Sequence, residues 1–474
     1  MQKRNDTPTS QATPDEREQR EDSLFDRRLP ETSIPREVLA TYMHVLTDLF
    51  GSKWSVGPLW EHQLRTVMWR KDWIASTELL ALGRALHHLQ RSTKPATLAR
   101  WIRDVQRLKK HQLSGSLWEA YTAGILAGDE QEVALTPANK PGVDLVVTSG
   151  CGHTWHVSCK HLGRSDAERS FHTHAVRTYR SIQASMPPGP PIKVAIHRRR
   201  PARRIDSDTV ARKITAAACS LALCHEQRSI RAARHDVHVA RFAAPLGSEF
   251  AEGYRPRSMM VTYAVPMSPT EQGRIERRVR QACTNLGKHA PAPSATSSNI
   301  VVIRVPEAVS LLTAQAWIKK FLDDNPNPAV TSVLIVRPSI QWTAHGPFDY
   351  RYFLAYETLA YRNPHRVGEE VAPPLLLTPV MGRGMSEENM VTITSALGSY
   401  STEDHYLFAD GQVLYSRLPE VEGHETWSVP VLPHYRVGRL EQIPGGPAIP
   451  LGAELGTDIA GLRERPRMLD LELM

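Results

Sequence analysis

Leu117 to Gly163 reads LWEAYTAGILAGDEQEVALTPANKPGVDLVVTSGCGHTWHVSCKHLG, and its second half, from Pro141 onward, decides the fold. Pro141 and Gly142 punctuate the chain. Residues 143–148 (VDLVVT) then have strand composition, 149–152 (SGCG) turn composition, and 154–160 (TWHVSCK) strand composition again. Two strands joined this tightly make a hairpin. Side chains alternate along a strand, so Trp155, Val157 and Cys159 are expected on one face and His156, Ser158 and Lys160 on the other. One face reads as core and the other as chemistry. Upstream, LWEAYTAGIL is an amphipathic helix carrying Glu119.

Asp144 on the first strand and Lys160 on the second are expected to meet across the pair. A carboxylate beside an ammonium suits phosphodiester cleavage: a divalent cation binds the carboxylate and the lysine stabilises charge that grows on the phosphate. Magnesium prefers oxygen ligands and takes only one or two carboxylates from a protein.

On these residues the chain resembles the PD-(D/E)XK nuclease superfamily, the restriction-endonuclease-like fold. The pattern is a helix with an inward glutamate (Glu119), a strand opening with aspartate (Asp144 in GVDLVV), a turn, and a strand ending in acid-any-lysine (VSCK, ending in Lys160). The resemblance covers about Leu117 to Ile196. It implies Mg2+ (or Mn2+) held by Asp144 and the backbone carbonyl of Cys159, with Glu119 assisting through a second ion or a water. It further implies that Lys160 positions the attacking water. Ser158 stands where the second acid usually stands, and contributes a neutral ligand or a hydrogen bond. Glu168 is the nearest relocated acid. Against that role, Ser165-Asp166-Ala167-Glu168 is a capping box, in which Ser165 caps a helix and Glu168 bonds back to the Ser165 amide. The cap is the favoured reading. Cys151, His153, His156 and Cys159 lack the paired spacing of structural zinc sites, so zinc is not expected, and His156 is assigned to contact with the nucleic acid.

The remainder is organised around this unit. With 474 residues the chain is long enough for two or three domains; its net charge of +8 suits a polyanionic partner. Five cysteines without regular spacing point to a reducing cytoplasm, and no apolar run reaches membrane-spanning length. Residues 1–36 are polar and charged and are expected to be disordered. Residues 37–112 carry apolar side chains at helical spacing, from Leu39, Tyr42 and Met43 through Trp101, Ile102 and Val105, and form a helical domain.

A helix is expected from Ser165 to about Ala184, then a strand IKVAIH, then RRRPARR. There Arg198, Arg199, Arg200, Arg203 and Arg204 form a loop that should attract phosphates. With a helix from Asp206 to Ala222 and a strand at 237–242, these elements complete a restriction-endonuclease-like domain over 113–245. Over 258–430, strands at 259–265, 300–305 and 333–337 alternate with helices, one opened by a capping box at Ser268 to Glu271 with Pro269 at its first turn. That pattern argues a parallel sheet in an α/β accessory domain. HYLFADGQVLYSR suggests a hairpin turning at Asp410-Gly411, and 431–474 is a Pro- and Gly-rich tail. No phosphate-binding P-loop occurs.

The expected fold is therefore α/β, a restriction-endonuclease-like core between a helical N-terminal domain and a C-terminal α/β accessory domain. The expected function is a cytoplasmic, metal-dependent DNA endonuclease of a phage-defence or mobile-element system. Its expected partners are DNA, protein components of a defence or transposition complex, and a second copy of the chain, with no membrane. The rival is a catalytically weakened nuclease fold kept for DNA binding or assembly.

Overall fold

The computed structural model describes residues 36–55, 62–69, 73–107, 110–137, 142–186, 192–198, 207–221, 227–232, 234–241, 259–306, 308–344, 350–365, 377, 392–395, 398–401 and 404–411. Five longer helices lead, with a single helical turn, Ser52–Ser55, between the first two: α1 (Arg36–Phe50), α2 (Gln63–Trp69), α3 (Trp73–Ser92), α4 (Pro95–Arg107) and α5 (Lys110–Leu126). Strands β1 (Gln131–Leu135), β2 (Leu145–Ser149) and β3 (Thr154–His161) follow. Next come α6 (Asp166–Ser185), β4 (Ile192–Arg198), α7 (Ser207–Cys219), β5 (Gln227–Ala232), β6 (His235–Arg241) and β7 (Met259–Pro266). The chain continues through α8 (Thr270–His289), β8 (Ser297–Arg304), α9 (Leu311–Asp324), β9 (Ser332–Ala344) and β10 (Tyr350–Arg362). Last are β11 (Thr392–Ser395), β12 (Gly398–Ser401) and β13 (His405–Gly411).

The strands form two mixed sheets and a small β11–β12 pair. The first sheet has the order β1-β2-β3-β8-β9-β10 and the second β13-β7-β4-β6-β5. In the first, β1, β2 and β3 are antiparallel neighbours, while β8 lies parallel to β3 and β9 parallel to β8. The molecule is thus mixed α/β. Among the described residues no helix is long and apolar enough to cross a membrane.

Alternation along β3 holds as expected, but both of its faces are covered. Leu145, Val147, Trp155 and Val157 are buried with apolar side chains of α1, α3, α4 and α5 in one core. Each such side chain contributes roughly 2 kcal/mol on burial, which fixes the register against a one-residue slip. On the other face the residues paired with Ser158 and Lys160 are Val301 and Ile303, which join a second core with Ile275, Val279 and Leu286 of α8 and Ile318 of α9. Helices sandwich the sheet. The chemistry therefore does not occupy an open face of β3.

The expected division near residue 245 does not follow the sheets. The helix, strand, helix and strand that were to complete the core behind the hairpin, α6 through β6, belong to the second sheet with β7 and β13, and their apolar side chains form a third core. The strand beside β3 on the side away from β2 is β8, and the helix packed on β3 across the sheet from α5 is α8. Residues from Asp166 to Pro266 are an insertion between β3 and α8. Its two ends are tied together: the Arg274 guanidinium donates to the Gly163 carbonyl (2.6 Å), and the Tyr406 hydroxyl, 3.3 Å from Ser165 Oγ, donates to Glu271 Oε1 (2.6 Å) and accepts from Ser268 N (3.2 Å).

Local signals fared unevenly. Ser165 caps α6, its Oγ accepting from Glu168 N (3.0 Å), but Glu168 does not close the box; its Oε1 lies 3.5 Å from Arg164 Nε instead. Pro269 is the N-cap residue of α8, and Glu271 turns to Tyr406 and Arg274 because Tyr406 has already taken the Ser268 amide. Asp410 and Gly411 do not turn a hairpin: they continue β13, opposite Val261 and Met260 of β7. Residues 1–35 and 412–474, with the expected tails, lie outside the described residues.

Candidate functional site

β2 stops where β3 goes on, and that difference makes the site. Asp144 N donates to Val157 O (2.8 Å) and Thr136 N donates to Asp144 O (3.1 Å), the last rungs on either side before the chain turns away. The turn is at Gly142, with φ +94°, a conformation that favours glycine. A Cβ there would also meet Asn285 O at 2.9 Å and His289 Cδ2 at 3.0 Å on α8. Helix α8 and the glycine turn thus hold Asp144 at the fork.

Beyond the fork the β3 backbone has no β2 partner, and the Asp144 side chain takes its place. Cys159 N donates to Asp144 Oδ2 at 2.6 Å, and Ser158 Oγ donates to the same oxygen at 3.4 Å. Lys160 Nζ lies 3.6 Å from it and donates to the Cys159 carbonyl at 3.1 Å. The N–H and C=O of one strand residue project the same way, so the Cys159 carbonyl faces the fork that holds Asp144. Asp144 and Lys160 keep 23% and 12% of their side-chain surface exposed, so the fork is narrow but open to solvent.

Glu119 comes to the same place from α5, whose neighbours Leu117, Trp118, Ala120 and Tyr121 are all core. Gly124 permits the close crossing of α5 on α3, where a Cβ would stand 3.0 Å from that of Ala85. The Glu119 carboxyl is raised to about 8, first by burial and then by the negative charge of Asp144; the Trp101 side chain and Lys160 act the other way. The carboxyl is thus close to both Asp144 and Lys160. Cys159 points away into the core, where burial, Asp144 and Glu119 push its thiol well above the ordinary range.

Other expected residues fall elsewhere. Ser158 is fully buried beneath the fork, able to hold Asp144 but not to face a cleft. His156 pairs with Val146, two rungs back, and its Nδ1 lies 3.3 Å from Ser297 Oγ on β8, the side of β3 away from Asp144. Glu168 is buried at the start of α6 among Arg164, Glu271 and Arg274, its carboxyl raised to about 6 by burial before those charges act. Arg198 is the last residue of β4 and only 6% exposed, with its guanidinium lowered by burial, so it is no solvent-facing loop residue. Arg199, Arg200, Arg203 and Arg204 lie outside the described residues.

Sequence reasoning missed Trp101, which was read only as core, and α8, which was assigned to another domain. The available signal was Gly142: a glycine two residues before Asp144 marks a close backbone approach, here by α8.

The donor set is two carboxylates and one backbone carbonyl, all oxygen, which fits a hard divalent cation. Among the described residues no group of three or more His, Cys, Asp and Glu is placed to hold a metal ion. The fit to magnesium rests on Asp144, Glu119 and the Cys159 carbonyl together. Compared with protein-family models, with curated proteins and with solved structures, the chain shows no match.

Proposed function

We propose that the chain is a metal-dependent nuclease acting on DNA, with a restriction-endonuclease-like core formed by α5, β1, β2, β3, α8 and β8. With β1 and 166–266 set aside, these elements run helix, hairpin, helix, strand, in the order the PD-(D/E)XK resemblance implies. The observation that carries the reading is the convergence at the fork: Asp144 Oδ2, Lys160 Nζ and the Cys159 carbonyl within 3.6 Å contacts, with Glu119 near enough to be raised by Asp144's charge.

Asp144, Glu119 and the Cys159 carbonyl would hold Mg2+ or Mn2+, which when bound polarises the phosphate and lowers the pKa of a bound water. Burial, and after it the charge of Asp144, keeps the Glu119 carboxyl raised to about 8 and so protonated at neutral pH, and a neighbouring positive charge favours its ionised form. Lys160 now spans Asp144 and the Cys159 carbonyl. On substrate binding its ammonium is the group to stabilise charge developing on a phosphate oxygen. Ser158 orients: its Oγ, with Cys159 N, fixes Asp144 Oδ2. Nicking of supercoiled plasmid with Mg2+ or Mn2+, in wild type and in Asp144→Ala and Lys160→Ala, tests the reading. A folded variant that still nicks at the wild-type rate would sink it.

A second reading, a binding or assembly module on a weakened nuclease core, draws on one observation: serine at 158 is buried, so no third carboxylate is supplied at that rung. It expects DNA binding with no metal-dependent nicking by wild type.

A further inference from the structure

Helix α4 divides cleanly. Leu98, Trp101, Ile102 and Val105 are buried, and Trp101 is the side chain beside Glu119. Lys94, Arg100, Arg103 and Arg107 are exposed, and the last three, spaced by three and four residues, share one face. The only acid among them is Asp104, an exposed i,i+4 partner of Arg100 at 3.8 Å, which at such exposure contributes little and is easily exchanged for another anion. Residues 91–110 hold seven Lys and Arg against one Asp, a net +6 in a chain whose total is +8.

We infer that the exposed face of α4 is a phosphate-binding surface that seats one strand of a DNA duplex. The choice of DNA as the polyanion rests on the nuclease reading above. From Arg100 to Arg107 the helix rises about 10 Å. Duplex DNA presents one phosphate per roughly 3.4 Å of axis along each strand, so three arginines on one face meet about three phosphates. The opposite face of the same helix carries Trp101 against Glu119, so the basic face is the solvent side of a helix whose inner side packs at the fork. Planar guanidinium groups suit phosphate oxygens better than lysine would. Two of the exposed arginines of α6 make a contrast, being held closer to acids than Arg100 is to Asp104: Arg169 is paired with Asp166 and Arg177 with Asp208 at 2.8 Å.

The test uses the full chain in EDTA with a short blunt duplex, followed by fluorescence anisotropy across about 50 to 200 mM salt. Wild type is compared with Arg100→Gln/Arg103→Gln/Arg107→Gln and, as a control, Arg169→Gln/Arg177→Gln/Arg180→Gln; circular dichroism confirms that each is folded. The α4 variant is expected to lose about 10-fold or more in affinity and to flatten its log–log salt slope by about 0.9 per phosphate contact, about 2.7 for three. The α6 control should bind as wild type does. An unchanged slope in the α4 variant overturns the inference. So does a polyglutamate competitor that binds as tightly as DNA, since the face would then read an acidic protein. Plasmid nicking is measured separately at saturating DNA. If wild type nicks but the α4 slope is unchanged, this inference fails and the nuclease reading stands; if the α4 slope falls but nothing nicks, the reverse holds.

Discussion

Two basic residues close to strand ends in this molecule have opposite fates. One residue before the end of β3, Lys160 stands at a fork where β2 has already stopped, partly exposed, with Asp144, the Cys159 carbonyl and Glu119 around it. At the end of β4, Arg198 pairs with His235 of β6, β7 runs on past the last β4–β7 pair at His197 to Pro266, and the Arg198 side chain is buried. Its surroundings are closed by internal bonds: Tyr263 Oη lies 2.6 Å from His235 Nε2, and His235 Nδ1 lies 3.0 Å from Ala232 O. The difference is made by the adjacent strand. Where a neighbour ends early, backbone and side-chain polar groups are left for a ligand; where neighbours continue, the same kinds of group satisfy one another.

The largest expected effect breaks the comparison if it fails. Asp144→Ala and Lys160→Ala should each lower metal-dependent nicking by about 100-fold or more, the loss seen when a group stabilising transition-state charge is removed. Arg198→Gln should leave the nicking rate of folded protein unchanged. A catalytic defect in Arg198→Gln with native circular dichroism would erase the distinction between the two strand ends.

Next in size is Ser158→Glu. From the strand alternation alone this change restores acid-any-lysine in an open cleft. The structure places position 158 fully buried, with its Oγ 3.4 Å from Asp144 Oδ2. A longer, charged side chain there overfills the core and repels Asp144, so roughly 2–3 kcal/mol of stability should be lost. Urea denaturation measures it. Unchanged stability with raised Mg2+ affinity in calorimetry would show the fork to be wider than drawn here.

The contrast between alternation and burial marks what the sequence made legible. The hairpin is legible because Trp155, Val157 and Cys159 alternate with polar residues on its returning strand, and the pairing of Asp144 with Lys160 follows from it; Glu119 comes from the resemblance. The membership of each later strand was not. Val194, Ile196, Val301 and Ile303 all look alike in composition, and nothing local tells which sheet a buried strand joins, so the insertion from Asp166 to Pro266 was invisible. Arg198 was read as part of a phosphate loop because five arginines in seven residues dominate their window, while its burial depends on Tyr263 and His235, distant in sequence. β1 was passed over: QEVAL is short and carries a glutamate, and only its pairing with β2 makes it a strand.

A third prediction sharpens the closed end. Tyr263→Phe removes a buried hydroxyl and leaves His235 Nε2 without its 2.6 Å partner. Stranding a buried polar group costs about 1–3 kcal/mol, so a loss of about 2 kcal/mol is expected in urea denaturation, with nicking by the folded fraction unaltered. Unaltered stability would show that the hydroxyl and imidazole do not depend on each other.

The smallest effect is a pair of pH slopes with opposite sign, measured in EDTA. Glu119 is raised to about 8 by burial and by Asp144, so the folded protein holds its proton where the unfolded chain has released it. Its favourable contribution is fully present below the ordinary glutamate pKa, near 4.5, and is lost as pH rises toward 8. His235 is lowered to about 4, mainly by burial, and so the unfolded chain takes up the proton first. Its contribution is present above 6.5 and is lost as pH falls toward 4. Relative to Glu119→Gln, wild type should therefore lose stability as pH rises from about 5.5 to 7.5. Relative to His235→Asn, it should lose stability as pH falls from about 6.5 to 5. Each slope should be on the order of 1 kcal/mol per pH unit, near the full value for a proton bound in one state only. Urea midpoints for the three proteins at four pH values give both slopes. Slopes of the same sign would mean that the fork and the closed strand end are polar seams of one kind, and the structural contrast between them would carry no energetic meaning.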